Sequence, residues 1–484
     1  MNTLYWHDYE TFGIDPRYDR PSQFAGIRTD EDLNVIGDPL MIYCKQANDS
    51  LPSPEACLVT GITPQEVNEK GMSEAEFIKL IHDEFSQPNT CGVGYNSLRF
   101  DDEFTRFTLY RNFYDAYARE WQNGNSRWDI IDMARLTRAL RPEGINWPDR
   151  EDGKPSFRLE ALTAANNIEH VGAHDALVDV YATINLAKLI KTAQPKLYDF
   201  VYQHRGKHAV APLLNINNRT PVIHVSRMYP SDYCGTALVV PIAHDPINNN
   251  GIIVYDLRHD PSDLIELDAD TLRQRLFTPT ADLPDGVARP ALKTIHINKC
   301  PVVVPENTLN DAAAERLQID RAQHYQHLQQ LNAAGDLTAK INAIFTKPDY
   351  EESDDPDASL YSGGFFSAND KRKMELIRTA DADALRVLKV PFEDPRLPEM
   401  LFRYRARNWP QSLTADEQEQ WQQYRQQRLT DESNEKILTL PTFFETINTC
   451  RQRELTENQK TILDKIEQYG KQIEDELSKS KLHV

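Results

Sequence analysis

The sequence predicts an α/β domain, followed by a mostly β domain and an all-α C-terminal domain. Three observations predict this order. Residues 1–194 alternate short apolar runs with helically spaced apolar segments, residues 195–350 contain β-rich runs between turns, and residues 351–484 keep helical spacing. The length of 484 residues also agrees with about three domains of roughly 150 residues each. These three ranges are the predicted domains.

In the first region, short apolar runs predict strands at Thr3–Trp6, Leu40–Tyr43 and Gly92–Tyr95. Apolar residues at a spacing of three and four predict the helices of this region, which are Ser73–Phe85, Phe104–Tyr117, Ile130–Leu140 and Ala176–Thr192. This mixture of strands and helices is typical of an α/β domain.

The middle region contains β-rich runs that turn residues separate. They predict a small barrel or sandwich with strands at Pro221–Val225, Ala237–Ile242, Gly251–Tyr255 and Thr294–Ile297. Helices are expected near 312–334, and the acidic, proline-containing stretch 347–356 is the predicted linker. The C-terminal region predicts helices alone, at Asp370–Ala380, Leu397–Trp409, Ala415–Leu429, Pro441–Arg451 and Thr456–Lys481.

The composition excludes several protein classes. Hydrophobic residues make up 40% and charged residues 26%, which excludes a collagen-like, mucin-like or largely disordered chain. No window approaches about eighteen uninterrupted apolar residues, so neither a membrane span nor a membrane partner is expected. The amino end carries acids where a secretory signal needs a basic flank. The six cysteines are scattered without a CxxC pair, which favours a reducing, cytoplasmic location.

The charge balance is acidic, with 54 Lys and Arg against 74 Asp and Glu, a net charge of −20. Taken alone, this charge argues against a non-specific polyanion binder, because affinity for phosphates comes from clustered Lys and Arg. The first 194 residues hold 19 basic and 31 acidic side chains, so the acidic excess is concentrated there. Some of these acids are therefore candidates for metal binding.

Asp8 and Glu10 follow the first predicted strand. Side chains two apart on a strand point to the same face, so these two carboxylates can converge on one ion. Hard divalent cations such as Mg²⁺ prefer oxygen ligands, and a pair of such ions needs several carboxylates. A solvated strand end remains the alternative, since this triplet is common in acidic proteins.

Two further acids occur near predicted helix starts. Asp101 lies between a strand and a helix, where the helix dipole favours an acid in any case. His174 and Asp179 lie at the start of a long predicted helix, so Asp179 can point inward while His174 stays mobile at its mouth. Asp175 competes with Asp179, but as a first-turn residue it is expected to cap the helix. A purely structural histidine remains an alternative.

These elements occur in the order of the DEDDh exonuclease superfamily, which this series resembles. Longer segments resemble the bacterial exodeoxyribonuclease I family from about residue 4 to past residue 420. They are HDYETFG, GYNSLRFDDEFTR, RNFYDAYA, NSRWDIIDMARL, ALRPEGINWP, PSFRLEALTAAN, HDALVDVYATI, INKCP and FRYRARNWP. The resemblance implies a ribonuclease-H-like exonuclease domain, then an SH3-like barrel domain and a helical domain.

The resemblance also implies the roles of the acids. Asp8, Glu10, Asp101 and Asp179 would hold two Mg²⁺ ions, for which Mn²⁺ is a plausible substitute. Glu10 would also contact the terminal nucleotide, and His174 would take a proton from the attacking water. An imidazole, with an ordinary pKa of about 6.5, suits that task.

Residues for binding the substrate strand follow from the same resemblance. Arg158 would hold a substrate phosphate, although an ion pair with a neighbouring acid is its alternative. Bases stack on aromatic rings with little sequence preference. The further strand contacts implied are Arg106, Tyr117, Trp121, Arg135, Phe200 and Lys207.

The implied function is a Mg²⁺-dependent 3′→5′ exonuclease that processively degrades single-stranded DNA to 5′-mononucleotides in DNA repair and recombination. The family also binds the acidic C-terminal tail of the single-stranded-DNA-binding protein, for which Arg141 and other basic residues near the junction with the barrel are candidate receptors. A monomer is the simplest expectation.

Three alternatives remain at this stage. An exonuclease acting on RNA would carry the same acids, because discrimination depends on the 2′-hydroxyl. A catalytically silent repair adaptor would bind DNA without cleaving it, although all five catalytic residue types are present. A zinc hydrolase is disfavoured because the sequence has no HExxH motif.

Overall fold

The computed structural model describes residues 2–170, 172, 174–346 and 353–480, so residues 347–352 of the predicted linker lie outside the described residues. The strands are β1 Thr3–Thr11, β2 Pro21–Thr29, β3 Val35–Tyr43, β4 Thr90–Gly94, β5 Ser126–Asp129, β6 Val222–Val225, β7 Thr236–His244, β8 Gly251–Asp256, β9 Leu292–His296 and β10 Val303–Pro305. The helices are α1 Pro54–Thr60, α2 Pro64–Lys70, α3 Glu74–Phe85, α4 Asp101–Arg111, α5 Ile130–Leu140, α6 Leu159–Ala165, α7 Ala176–Ala193, α8 Pro195–Gln203, α9 Lys207–Val210, α10 Ser262–Glu266, α11 Ala269–Phe277, α12 Asp311–Arg316, α13 Arg321–Ala333, α14 Thr338–Ile344, α15 Ala368–Thr379, α16 Ala382–Val387, α17 Leu397–Asn408, α18 Ala415–Thr430, α19 Leu440–Arg451 and α20 Glu457–Ser480.

The chain divides into two compact units. The first comprises residues 1–126, 171–181 and 350–484, and the second comprises residues 127–170 and 182–349. This grouping follows contacts and cuts across the sequence ranges predicted as domains, whose boundaries stay predictions.

The first unit contains a mixed sheet in which β3, β2, β1 and β4 lie side by side in that order. β1 pairs antiparallel with β2 and parallel with β4, and β2 pairs antiparallel with β3. The register places Asp8 opposite Ala25 and shifts between Glu10 and Thr11. The central strand β1 is therefore fixed from both sides and carries its two acids at a defined end.

The starts of α3 and α4, two helices beside this sheet, differ in their distance from the predicted starts. Ser73 and Glu76 form a capping box at the start of α3, where the predicted helix also begins. α4 begins at Asp101, three residues before the prediction, and ends at Arg111. Phe113 has a left-handed backbone with φ of 63°, which prevents the predicted continuation of the helix to residue 117.

The C-terminal helices α15–α20 belong to the first unit as well. A buried apolar core joins Phe12 and Leu51 of the N-terminal region to Leu429, Phe443 and other residues of these helices. The predicted all-α C-terminal region is confirmed, and it shares a core with the strand end that carries Glu10.

The second unit contains an all-antiparallel sheet with the order β10-β6-β7-β8-β9. The four strands predicted for this region are present, whereas β10 was not predicted. Alternate side chains such as Val222, Val239, Val254 and Ile295 form its core. The predicted fold order of α/β, mostly β and all-α is therefore confirmed.

Among the described residues, no helix combines the length and apolar character needed to cross a bilayer.

Candidate active site

The end of β1 presents two carboxylates to one face of the sheet. Asp8 is partly buried, and Glu10 has only 7% of its surface exposed. Side chains two apart on a strand share a face. The predicted convergence of these two acids is therefore present in the structure.

Asp101 lies at the first residue of α4 and reaches back to β1. The backbone N–H of Tyr9, between the two strand acids, donates a hydrogen bond to Asp101 Oδ1 at 3.0 Å. The hydroxyl of Thr105 donates to the backbone carbonyl of Asp101 at 2.8 Å and fixes this first helical turn. Asp101 is therefore held beside Asp8 and Glu10 as well as at a helix start.

The start of α7 brings the remaining two predicted residues to the same place. The first helical N–H, of Ala176, donates to Gln23 Oε1 of β2 at 3.1 Å, which anchors the helix start to the sheet. His174 has a left-handed backbone with φ of 71°, and its N–H lies 3.3 Å from Asp179 Oδ2. Asp175 caps the helix by accepting from the N–H of Leu177 at 3.0 Å, as expected.

These five residues form what we call the carboxylate site: Asp8, Glu10, Asp101, His174 and Asp179. Potential metal-ligand atoms of Glu10, His174 and Asp179 lie within 4.8 Å of one another. Each of these residues can offer one such atom to the same ion, and carboxylate oxygens are the ligands that hard dications prefer.

The electrostatics of the carboxylate site favour a bound cation. Burial raises the pKa of Glu10 to about 9, and the carboxylates of Asp179 and Asp101 add to the increase. Burial and the neighbouring acids also raise the pKa of Asp8. Ionising several neighbouring carboxyl groups in a buried site costs free energy, because the negative charges repel one another. A bound dication offsets this repulsion. The donor set therefore fits a hard divalent metal ion.

A cleft of about 890 Å³ opens at Glu10. One side consists of the segment after β1, including Ile14, whose side chain is 84% exposed. The other side consists of the loop between α18 and α19 and the first turns of α19, including Lys436 and Thr442. An extended polymer with its end at Glu10 would therefore contact both the N-terminal region and the C-terminal helices.

Comparison with known proteins decides the family. Three family models match successive parts of the chain: Exonuclease at residues 5–187, Exonuclease I SH3-like domain at residues 205–347, and Exonuclease I C-terminal domain at residues 354–473. The chain is 50% identical over 433 residues to exodeoxyribonuclease I of Escherichia coli (strain K12), and the match covers 89% of this chain and 91% of that relative. The chain belongs to the exodeoxyribonuclease I family.

Solved structures of this family superpose closely on the chain. Exonuclease I from Methylocaldum szegediense has a TM-score of 0.94 at 52% identity, covering 98% of this chain and 100% of its own. The zinc-ion-bound Escherichia coli ExoI–ssDNA complex has a TM-score of 0.92 at 47% identity, covering 98% and 99%. An ExoI/SSB-Ct complex has a TM-score of 0.91 at 46% identity, with the same coverage.

Family membership confirms several predictions. The resemblance itself, the exonuclease domain and the SH3-like character of the middle region are confirmed. The chain is a nuclease, a hydrolase of phosphodiester bonds, which argues against the silent adaptor. Membership of the exonuclease family also implies dependence on a divalent metal ion, in agreement with the donor set of the carboxylate site.

Three of the residues predicted to contact the DNA strand lie in the first unit of this chain. Arg106 is buried and donates to both oxygens of Glu120, at 2.7 and 2.9 Å. Its guanidinium carbon lies 5.5 Å from the ring centroid of Tyr117. Arg106 therefore makes a cation–π contact with Tyr117, while the side chain of Trp121 is 66% exposed. Their roles as strand contacts stay predictions.

The sequence interpretation missed two aromatic residues on the same surface. Phe365 is 85% exposed, and its ring centroid lies 6.0 Å from that of Tyr117. Tyr361 is 57% exposed, and its hydroxyl accepts a hydrogen bond from Arg106 at 3.1 Å. Both belong to a segment that is far from Tyr117 in the sequence, so no spacing pattern pointed to them.

The other predicted contacts lie in the second unit. Arg158 is exposed and immediately precedes α6. Arg135 is paired with Asp132 at 2.5 Å, and Lys207 Nζ donates to Asn250 Oδ1 at 2.6 Å. Phe200 stacks on His204 with 3.9 Å between ring centroids. Their roles stay predictions.

Arg141, the predicted receptor for a partner tail, also lies in the second unit. Its guanidinium donates to the backbone carbonyls of Leu140 and Thr308 at 2.6 and 2.8 Å. This side chain is therefore held in a fixed position, and its role in partner binding stays a prediction.

Proposed function

We propose that this protein is a Mg²⁺-dependent 3′→5′ exonuclease that processively degrades single-stranded DNA to 5′-mononucleotides, in DNA repair and recombination. The observation that carries the proposal is the convergence of the carboxylate site at one end of a cleft in a chain of the exodeoxyribonuclease I family. Mn²⁺ is the expected substitute for Mg²⁺.

The acids of the carboxylate site hold the metal. Asp8, Glu10, Asp101 and Asp179 are the ligands for two ions, and their crowding supports this assignment because it raises the pKa of Asp8 and Glu10 when no cation balances them. When bound, the paired ions supply positive charge to the attacking and leaving oxygens and favour hydroxide at neutral pH.

His174 removes a proton from the attacking water. The water oxygen forms a bond to phosphorus, the bond between phosphorus and the 3′-oxygen of the penultimate nucleotide breaks, and that oxygen leaves with a proton from solvent. The product keeps its phosphate on the 5′-oxygen. The position of His174 outside the first turn of α7 supports this role, since its imidazole is only partly buried.

Grip on the remaining strand comes from aromatic rings and from the cleft. Trp121, Tyr117 and Phe365 offer faces on which bases stack without sequence preference. A strand lying in the cleft between the N-terminal region and the C-terminal helices slides more readily than it dissociates, which gives processivity. Arg158 holds a phosphate of the substrate, with Arg106, Arg135, Phe200 and Lys207 as further contacts.

The C-terminal tail of the single-stranded-DNA-binding protein is the proposed protein partner, since a related ExoI has been solved with SSB-Ct. Arg141 is its proposed receptor. The protein is proposed to act as a monomer in the cytoplasm.

A single 5′-labelled oligonucleotide tests the proposal. With Mg²⁺, we expect a ladder that shortens from the 3′ end, and with EDTA no cleavage. A blunt duplex and a matched RNA strand are the controls, and both should resist digestion. Equal digestion of the RNA would replace the proposal with the RNA-directed alternative.

A further inference from the structure

A second cluster of buried charged side chains lies in the first unit, and the proposed reaction does not use it. We call it the arginine cluster, and each member exposes 8% or less of its side chain. Its members are Arg20, Asp49, Glu74, Arg111, Asp357, Arg403, Arg407 and Arg428.

One end of the arginine cluster belongs to the C-terminal helices. Arg407 of α17 donates through Nη2 to Asp49 Oδ2 at 2.7 Å and to Asp357 Oδ2 at 2.8 Å. Its Nε lies 3.1 Å from the other oxygen of Asp49. Asp49 belongs to the loop after β3, so Arg407 ties a C-terminal helix to the N-terminal region by a charge-assisted fork.

The other end belongs to the segment that follows Glu10. Arg111 of α4 donates to the carbonyl of Pro16 at 2.9 Å and pairs with Glu74 at 3.2 Å. The N–H of Phe12 donates to the carbonyl of Arg20 at 2.9 Å, which closes the segment into a loop. The ends of residues 12–20 are therefore joined through the backbone of Arg20, and Arg111 holds the middle of this segment at Pro16.

Arg20 connects the two ends. Its Nη1 lies 3.8 Å from Glu74 Oε2, and its guanidinium makes no hydrogen bond within the described part of the chain. The acids that balance its charge are Glu74 and Asp49, and Arg111 and Arg407 are the neighbouring cations. Asp49 lies in the same loop as Ser53, whose N–H donates to the carbonyl of Phe12 at 2.7 Å. The loop that Arg407 fixes at Asp49 therefore contacts the segment that begins two residues after Glu10.

Buried ion pairs are a poor source of stability compared with apolar packing, because desolvation offsets their attraction. The same unit already packs Phe12 into an apolar core with the C-terminal helices. The charged cluster beside that core fixes the orientation of the segments it joins, because a forked arginine–carboxylate hydrogen bond forms in only one geometry.

We propose that Arg407 is a positioning residue for the metal site: by fixing Asp49, it lets the C-terminal helices hold the segment after Glu10. The C-terminal helices then complete the metal site as well as one wall of the cleft. This inference rests on the proposed metal site and adds a residue more than 390 positions away from Glu10 in the sequence.

The test measures Mn²⁺ affinity by electron paramagnetic resonance and turnover of the p-nitrophenyl ester of thymidine 5′-monophosphate, which is too short to need the cleft. Arg407→Met removes the charge at similar length, and we expect about tenfold weaker Mn²⁺ binding, the effect typical of removing a group that orients a metal ligand. Turnover of the ester should fall in parallel, and Arg407→Lys should restore part of both.

Arg405 provides the matched control on the same helix. It is also buried, but it pairs with Glu417 at 2.6 and 2.9 Å, within the C-terminal helices. Arg405→Met should lower the melting temperature without changing Mn²⁺ affinity.

Unchanged Mn²⁺ affinity in folded Arg407→Met would overturn the inference. If that variant fails to fold, Asp49→Asn, which preserves the shape of the acid, decides on the same criterion. A wild-type protein that binds Mn²⁺ but leaves single-stranded DNA intact would refute the proposed function instead, and the Mn²⁺ affinities of the variants would still decide this inference.

Discussion

The first unit contains two groups of buried charged residues that differ in how their charges are balanced. In the carboxylate site, the charged neighbours that affect Glu10 most are other acids, and its pKa is raised to about 9. In the arginine cluster, burial alone would raise the pKa of Asp49, but Arg407, Arg20 and Arg428 hold that pKa below its usual range. The pKa values of buried carboxyl groups are therefore shifted in opposite directions within one unit.

This difference separates a binding site from a structural element. In the arginine cluster each acid has arginine neighbours that stabilise its ionised form, whereas a crowd of acids is stable in its ionised form only with a cation. Acids with a raised pKa in a cleft are candidates for metal binding or catalysis, while acids paired with arginine are candidates for a structural role. The following substitutions test this distinction, from the largest expected effect to the smallest.

Removing one acid from the carboxylate site should have the largest effect. Asp8→Ala should lower turnover on single-stranded DNA by about 10³-fold, because losing about 4 kcal/mol of metal-derived stabilisation corresponds to that factor. A steady-state assay in Mg²⁺ measures the change. Asp83→Ala, which removes an exposed acid paired with Lys79, is the control and should be neutral. Full recovery of Asp8→Ala at high Mg²⁺ would show weakened binding instead of lost chemistry.

Removing the imidazole should affect turnover but not binding. His174→Ala should lower kcat by about 10²-fold, the lower end of the range for a general base. The affinity for an oligonucleotide, measured by anisotropy in Ca²⁺, should stay within about twofold, since no ligand for the phosphate is lost. Near-normal kcat would remove His174 from the mechanism.

The two groups should also respond differently to pH in the absence of metal. Glu10 binds its proton more tightly in the folded state than in the unfolded chain, so stability falls as the pH rises between about 4.5 and about 9. Between pH 7 and 8.5, deprotonation of Glu10 should lower the free energy of unfolding by about 2 kcal/mol. The pKa of Asp49 is lowered in the folded state, so its contribution to stability is lost only in acid, as the pH falls below about 4.

Melting temperatures in EDTA at pH 7 and 8.5 measure this effect. The wild type should lose stability over this interval, and Glu10→Gln should lose less, because it has no proton to release. Added Mg²⁺ should flatten the wild-type curve. Identical slopes for both proteins without metal would contradict the assignment of the titration to Glu10.

Local patterns predicted most of the fold. The period of apolar residues predicted α5 and α7 to within one residue at each end. β2 was missed because its residues are buried on both faces, so its sequence has no alternation, and it begins with Pro21. The end of α4 was misplaced because Phe113 adopts a left-handed backbone without the glycine that usually signals it.

The carboxylate site and the arginine cluster also differ in how far the sequence predicted them. Asp8 and Glu10 are a local pair, but their convergence with Asp101 and Asp179 was implied by resemblance to a family and not by spacing. The arginine cluster left no such signal, because Asp49 and Arg407 are brought together only by the tertiary fold. Pairing between distant parts of the chain follows from packing, which a periodicity argument does not contain.

The smallest effect is expected outside both groups, on the aromatic surface. Trp121→Ala should weaken binding of an oligo-dT strand by about tenfold, since one stacked base contributes about 1–3 kcal/mol. Anisotropy in Ca²⁺ measures the affinity, and kcat at saturating DNA should change little because the carboxylate site is intact. Leu376→Ala removes an equally exposed side chain from α15 and is the control. A lower kcat with unchanged affinity in Trp121→Ala would contradict the proposed division of roles, in which aromatic rings bind the DNA strand and the carboxylate site catalyses cleavage.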